Sequence, residues 1–150
     1  MKKQPKRKIA SLTAPVQCQL KLDHEGWYFD LLAIFKRLNA RYFRNKLAGY
    51  KIVWGRRRKL RPKQYLVYGT IQEEDRLIRI HPLLDQDFVP EWFLEYVIFH
   101  EMLHAVVPDI IYPSGRRKVH TAEFFAQEKK YPHFRRAQRW EAENLGRLLR

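Results

Sequence analysis

The stretch VIFHEMLHAVVP, from Val97 to Pro108, sets two histidines and a glutamate among residues that are otherwise almost wholly apolar. Burying an imidazole or a carboxylate without partners is costly, so these groups need either a hydrogen-bond network or a metal ion. On a helix, positions four apart are separated by about 40° around the axis and about 6 Å along it, so His100 and His104 point the same way and can grip one ion. Glu101 falls on the adjacent face, where it can hold and deprotonate a water rather than bind the ion. That is the mechanical content of an H-E-x-x-H pattern, and its chemistry is metal-assisted hydrolysis. The competing reading is a core network of histidine and glutamate side chains.

A hydrolytic zinc site takes three protein ligands and keeps one position open. The metzincin continuation would place Gly at 107 and His at 110, but the chain has Val107 and Ile110. The candidates that remain are Asp109, His120, Glu123, Glu128 and His133. His120 sits where a loop meets the next helix and Glu123 follows one turn later, so either could reach the ion from a second helix. As donors to a developing oxyanion, His81, Tyr112 and Tyr131 are available, with none preferred.

The elements that must carry these residues are legible as patterns. Leu31, Phe35, Leu38 and Tyr42 recur at helical spacing within a helix expected over about 27–47, with Asp23 as its cap and Gly49 beyond its end. YKIVWG (50–55), YLVYGTIQ (65–72) and RLIRIH (76–81) read as strands, with Glu73, Glu74 and Asp75 turning between the last two. Pro90 suits the first turn of a helix that runs to about Val106 and stops before Pro108. Residues 107–119 read as a loop, 121–130 as a helix, and a last helix carries Trp140, Leu145, Leu148 and Leu149. The expected fold is α+β and a single domain over 23–150. It has an N-terminal helix, a small three-stranded, mainly antiparallel sheet, the H-E-x-x-H helix and C-terminal helices. A basic, disordered tail is expected over 1–22.

Composition narrows the context. The 150 residues are 45% hydrophobic and 31% charged, which is globular, and no apolar run reaches the roughly 18 residues that a membrane span needs. The opening MKKQPKRKIASLTAPVQC has too short an apolar part for an export signal, and the lone Cys18 excludes an internal disulfide or a multi-cysteine zinc site. A cytoplasmic monomer is expected. Thirty Lys and Arg against sixteen Asp and Glu give a formal charge of +14. Arg56, Arg57, Arg58, Lys59, Arg61 and Lys63 cluster between two strands, flanked by Trp54 and Tyr65, and GRRK (115–118) precedes His120. Cations beside aromatics suit a polyanion with stackable bases, single-stranded DNA above all, whereas a solvated loop is the plainer reading. His24 and His133 have no partner spacing and are read as non-functional, as is Cys18.

HEMLHAVVP followed by HTAEFFAQ, with ARYFRNKLAGYKIVWG upstream, resembles the SprT-like zinc metalloproteases, which include the Spartan proteases, over about residues 25–145. The resemblance implies a zincin-like fold and a zinc ion held by His100, His104 and His120. It also implies Glu101 as catalytic acid/base, Glu123 as a neighbour of the ligands, and a protein substrate associated with DNA. Beside this zinc endopeptidase stand two other readings: a nucleic-acid-binding module with structural zinc or vestigial activity, and a zinc hydrolase of a non-protein substrate. An intact Glu101 argues against a purely structural site, which has no need of a general base. An extended peptide could be aligned by edge pairing with RLIRIH, were that strand beside the cleft.

Overall fold

The structure, a computed structural model, describes residues 23–57 and 66–150. The tail over 1–22 and the cations Arg58, Lys59, Arg61 and Lys63 lie outside the described residues.

Helix α1 spans Leu31–Tyr42 and starts later than its hydrophobic pattern suggests. Its cap is Asp30, whose carboxylate accepts from the backbone of Leu32 and Ala33, and not Asp23. The reason is a competing anchor. The backbone N–H groups of Trp27, Tyr28 and Phe29 point at the buried carboxylate of Asp85, at 2.6, 2.9 and 3.3 Å, which draws residues 26–29 out of helical register. Gly26 permits the approach, because a Cβ there would stand 2.6 Å from that carboxylate. After α1, Arg44 and Asn45 both take left-handed backbone (φ 52° and 59°), and the amide oxygen of buried Asn39 accepts from Leu47 N to hold the turn.

Strands β1 (Lys51–Trp54), β2 (Gly69–Gln72) and β3 (Leu77–Ile80) form a mixed sheet of order β1-β3-β2. The hairpin β2–β3 is antiparallel, as its Glu73–Glu74–Asp75 turn requires, but β1 pairs with β3 in parallel, Lys51 opposite Leu77. RLIRIH is therefore the central strand and not an edge, because β1 returns to lie against it. The edge beside β2 is the one that faces the site. Ile52, Ile78 and Ile80 turn inward and are buried.

Helix α2 (Glu91–His104) follows Pro90 and is the hub, packed against β2 and β3 on one side and the remaining helices on the others. Phe93, Leu94, Ile98 and Met102 are fully buried, each contributing roughly 1.5–3 kcal/mol to folding. Residues 107–119, expected as loop, contain a small ribbon of β4 (Ile110–Ile111) and β5 (Arg117–Lys118), which turns at Gly115 with φ 83°. The β-branched pair Ile110–Ile111 favours the extended backbone that this pairing uses. Helix α3 (Ala122–Glu128) is capped by the Thr121 hydroxyl, which accepts from Phe124 N. Helix α4 (Phe134–Leu148) closes the fold. Trp140 packs against Phe93, centroids 4.4 Å apart, while Leu145 and Leu149 stay exposed. Among the described residues no helix is long and apolar enough to cross a membrane.

Candidate metal centre

His100 and His104 project from the last turns of α2, and His120 arrives from the end of the ribbon, just before the Thr121 cap. The Nε2 atoms of His104 and His120 lie 3.3 and 3.2 Å from Nε2 of His100, and one nitrogen of each ring falls within 4.8 Å of the others. Tetrahedral imidazole ligands at about 2.0–2.1 Å from a zinc ion stand roughly 3.3 Å apart, so this spacing is that of a ligand set. Hydrogen bonding alone satisfies it poorly. His100 Nδ1 lies 2.8 Å from the Glu128 carboxylate, and once its proton is spent there, a single Nε2 lone pair faces two neighbours. A cation at the meeting point resolves the conflict, so the residues fit a metal.

The surroundings favour the neutral form of His104 and His120. Burial, then the charge of His100, pushes the His104 pKa down to about 4, and the same causes lower His120. Neutral imidazole is the ligating form. The fully buried Phe124 backs all three rings, with centroids 4.5, 4.9 and 5.1 Å from His104, His100 and His120.

Glu128 stands where the sequence suggested Glu123. Glu123 is exposed on the outer side of α3, at the rim of a groove with Tyr42 and Leu103, because the inward stripe of this helix is Phe124 and Glu128, and position 123 lies about 100° away from Phe124. Glu128 is 3% exposed and accepts from the Tyr96 hydroxyl at 2.6 Å, which in turn accepts from the Gln138 amide at 2.9 Å. Burial alone would raise the Glu128 pKa, but the hydrogen bonds from His100 and Tyr96 outweigh it and hold the carboxyl below its ordinary range. A carboxylate behind a ligand imidazole fixes its tautomer and ring orientation. Phe124, Glu128 and Tyr131 recur at helical spacing, so an acid on an otherwise buried stripe was the signal available in the sequence.

Glu101 is 7% exposed, and desolvation raises its pKa to about 7, against a smaller lowering by His100. It lies against β2 at Gly69, where a Cβ would come within 2.9 Å of its Cγ. The glycine is what leaves room for the carboxylate. Two cavities flank the site, of about 360 and 540 Å³. Tyr68, Val97 and Glu141 line the first, and Ile71, Glu74 and Arg117 line the second. His100 borders the first cavity, while Glu101, His104 and His120 border both. None of His81, Tyr112 or Tyr131 lines either one. Tyr131 is buried, its hydroxyl donating to Trp92 O and Glu95, and His81 Nδ1 accepts from Leu83 N. Two phenols do line the first cavity: Tyr96, whose hydroxyl is spent on Glu128, and Tyr68, beside Glu141, where burial, then that carboxylate, raises its pKa and keeps it protonated. His24 pairs with the Asp30 cap, and Arg56 and Arg57 are exposed at the end of β1.

The SprT-like family matches the chain over residues 31–140. No curated protein and no solved structure matches it. A match over most of the chain places it in the family: the protein is a member of the SprT-like family.

Proposed function

From that membership and the geometry above, we propose that the protein is a zinc-dependent endopeptidase acting on proteins associated with DNA. His100, His104 and His120 are the ligands and Glu101 is the general base. The observation that carries the reading is the convergence of three imidazole nitrogens beside a buried, desolvated glutamate at the junction of two cavities. When bound, the zinc ion supplies a Lewis acid that polarises a peptide carbonyl and acidifies a water.

The protein's own residues do the rest. Glu128, fixed by Tyr96 and Gln138, orients His100. Glu101 takes a proton and returns it to the leaving amine, a task suited to a carboxyl whose pKa burial has brought near neutrality. The edge of β2 that no described strand covers runs past both cavities, from Gly69 to Gln72, and can take an extended peptide as an added strand. The DNA part of the reading rests on the +14 charge and on the cations from Arg56 to Lys63.

Metal analysis of the purified chain, with a casein or self-cleavage assay run with and without single-stranded DNA, tests this reading. One zinc per chain and metal-dependent cleavage are expected, and Glu101→Gln should abolish cleavage while the metal stays bound. A metal-replete, correctly folded protein with no peptidase activity in either condition would leave the binding-module reading standing instead.

A further inference from the structure

The metal centre and the helices occupy one side of the sheet, and the other side carries cations. Alternation along the strands turns Lys51, Thr70, Gln72 and Arg79 outward, all exposed. Register sets Val53, Arg79 and Thr70 in one row and Lys51, Leu77 and Gln72 in the next. The Arg79 guanidinium donates to Gln72 Oε1 at 2.5 Å, so it lies along the face. Past the C-terminal end of β1 this face opens into a depression of about 190 Å³ lined by Arg56, Arg79 and His81, with no carboxylate among the described residues that line it. Two arginines thus line one concavity, and the planar fork of a guanidinium suits phosphate oxygens.

The same end of the sheet displays two rings. Trp54 N bonds Asp23 O, Gly55 N bonds Ile80 O, and Asp85, just past β3, holds the backbone of Trp27 and Tyr28. The loop is thereby pinned with Trp27 and Tyr28 at 75% and 58% exposure. Cations spread along a face, with rings at its end, match a strand of phosphates carrying unpaired bases rather than a lone anion or an acidic polypeptide. The acidic turn Glu73–Asp75 at the opposite end of the sheet directs such a strand toward Arg56.

We infer that the outer face of the sheet, with Lys51, Arg56 and Arg79, binds the phosphates of single-stranded nucleic acid, whose bases stack toward Tyr28 and Trp27. This rests on the nucleic-acid part of the proposed function and gives it a surface distinct from residues 58–63. Gly69 and Thr70 line this depression and also the walls of the metal-bearing cleft. A strand held here lies one β-strand away from the metal centre, so a protein attached to it is delivered to the cleft.

The test is a fluorescence-anisotropy titration of a labelled oligothymidine at several salt concentrations. It compares the full-length wild type with the pair Lys51→Glu/Arg79→Glu and with a charge-matched control, Lys36→Glu/Lys129→Glu, on helix α1 and at the C-terminal cap of α3. Circular dichroism establishes that each variant folds. The sheet variant should lose about tenfold or more in affinity, with a salt slope shallower by about 0.7 for each phosphate that is no longer neutralised, while the control changes by no more than about twofold. Tyr28→Ala should weaken binding with the slope unchanged, because stacking releases no counterions. Equal losses in the sheet variant and the control would reduce the effect to overall charge and overturn the inference. Displacement of the oligonucleotide by polyglutamate as readily as by unlabelled strand would overturn it in favour of an acidic polypeptide. If the wild type binds no strand at low salt, the nucleic-acid half of the proposed function falls too. If it binds and the sheet variant binds equally well, only this surface falls.

Discussion

Two regions of opposite character meet at one point in this protein. His100 and His104 belong to a 14-residue helix whose neighbours Phe93, Leu94, Ile98 and Met102 are wholly buried. His120 ends a two-stranded ribbon in which Ile110, Ile111, Tyr112 and Val119 are 39–65% exposed. Folding of the core fixes the first two side chains whether or not a ligand is present. The third is held locally, by the Thr121 cap and the Phe124 ring, and the segment before it is restrained by its own short pairing and the Arg117–Asp109 ion pair, not by the buried core. A site of this kind is two-thirds preorganised, and the remaining third is available to couple metal binding to local order.

The largest effect should come from breaking that contrast at its weaker side. His120→Ala should lower metal affinity by orders of magnitude, and hydrogen exchange should then quicken over 107–121 while amides of Leu94–Leu103 keep their protection. Chelation of the wild type should reproduce the pattern. Equal loss of protection in both regions would mean that the ribbon and the helix are one cooperative unit.

The next test probes what the core side tolerates. In the metal-free protein, Glu101 has a pKa of about 7 against an ordinary 4.5. The folded state therefore holds more protons than the unfolded state between those values, and this group's contribution to stability is full below pH 4.5 and is lost as pH rises through 7. His104, lowered to about 4, acts in the opposite sense and contributes stability that grows between pH 4 and 6.5. Glu101→Gln removes only the first of these. Metal-free Glu101→Gln should be more stable than wild type at pH 8, by up to about 3 kcal/mol, and nearly equal to it at pH 4.5, as read from urea unfolding.

Two smaller effects sharpen the comparison. Glu128→Gln should weaken metal binding by about 10–100-fold in a chelator competition, whereas Glu123→Gln should leave it unchanged. A normal affinity in the first variant would detach the Tyr96–Glu128 chain from the metal. Reversing Arg56, Arg57, Arg58 and Lys59 to Glu should change stability by less than about 0.5 kcal/mol and leave metal affinity intact, while flattening the salt dependence of single-stranded DNA binding.

What could be read from the sequence follows the range of the interactions involved. The H-E-x-x-H spacing, the hairpin turn at Glu73–Asp75 and the helix after Thr121 are local, and each appears where the residues say it should. The true start of α1 was hidden because its competitor, Asp85, lies more than fifty residues away. The parallel pairing of β1 with β3 was hidden because nothing local distinguishes it from an antiparallel one. Glu123 looked well placed from its distance to His120 along the chain. The inward stripe of the helix runs through Phe124, and the acid that shares it, four residues on, is Glu128.

Gly69 has a consequence beyond this molecule. Its missing side chain and the Glu101 carboxylate occupy one shared volume, so the two positions form a lock in which bulk can be added to one only by removing it from the other. A descendant chain that drops the glutamate is released from the closest contacts that a side chain at position 69 would meet. One that keeps the glutamate there is not. If Glu101 is the base proposed above, glycine at this strand position should accompany it across a lineage, and a larger residue there should be found only where the glutamate has gone.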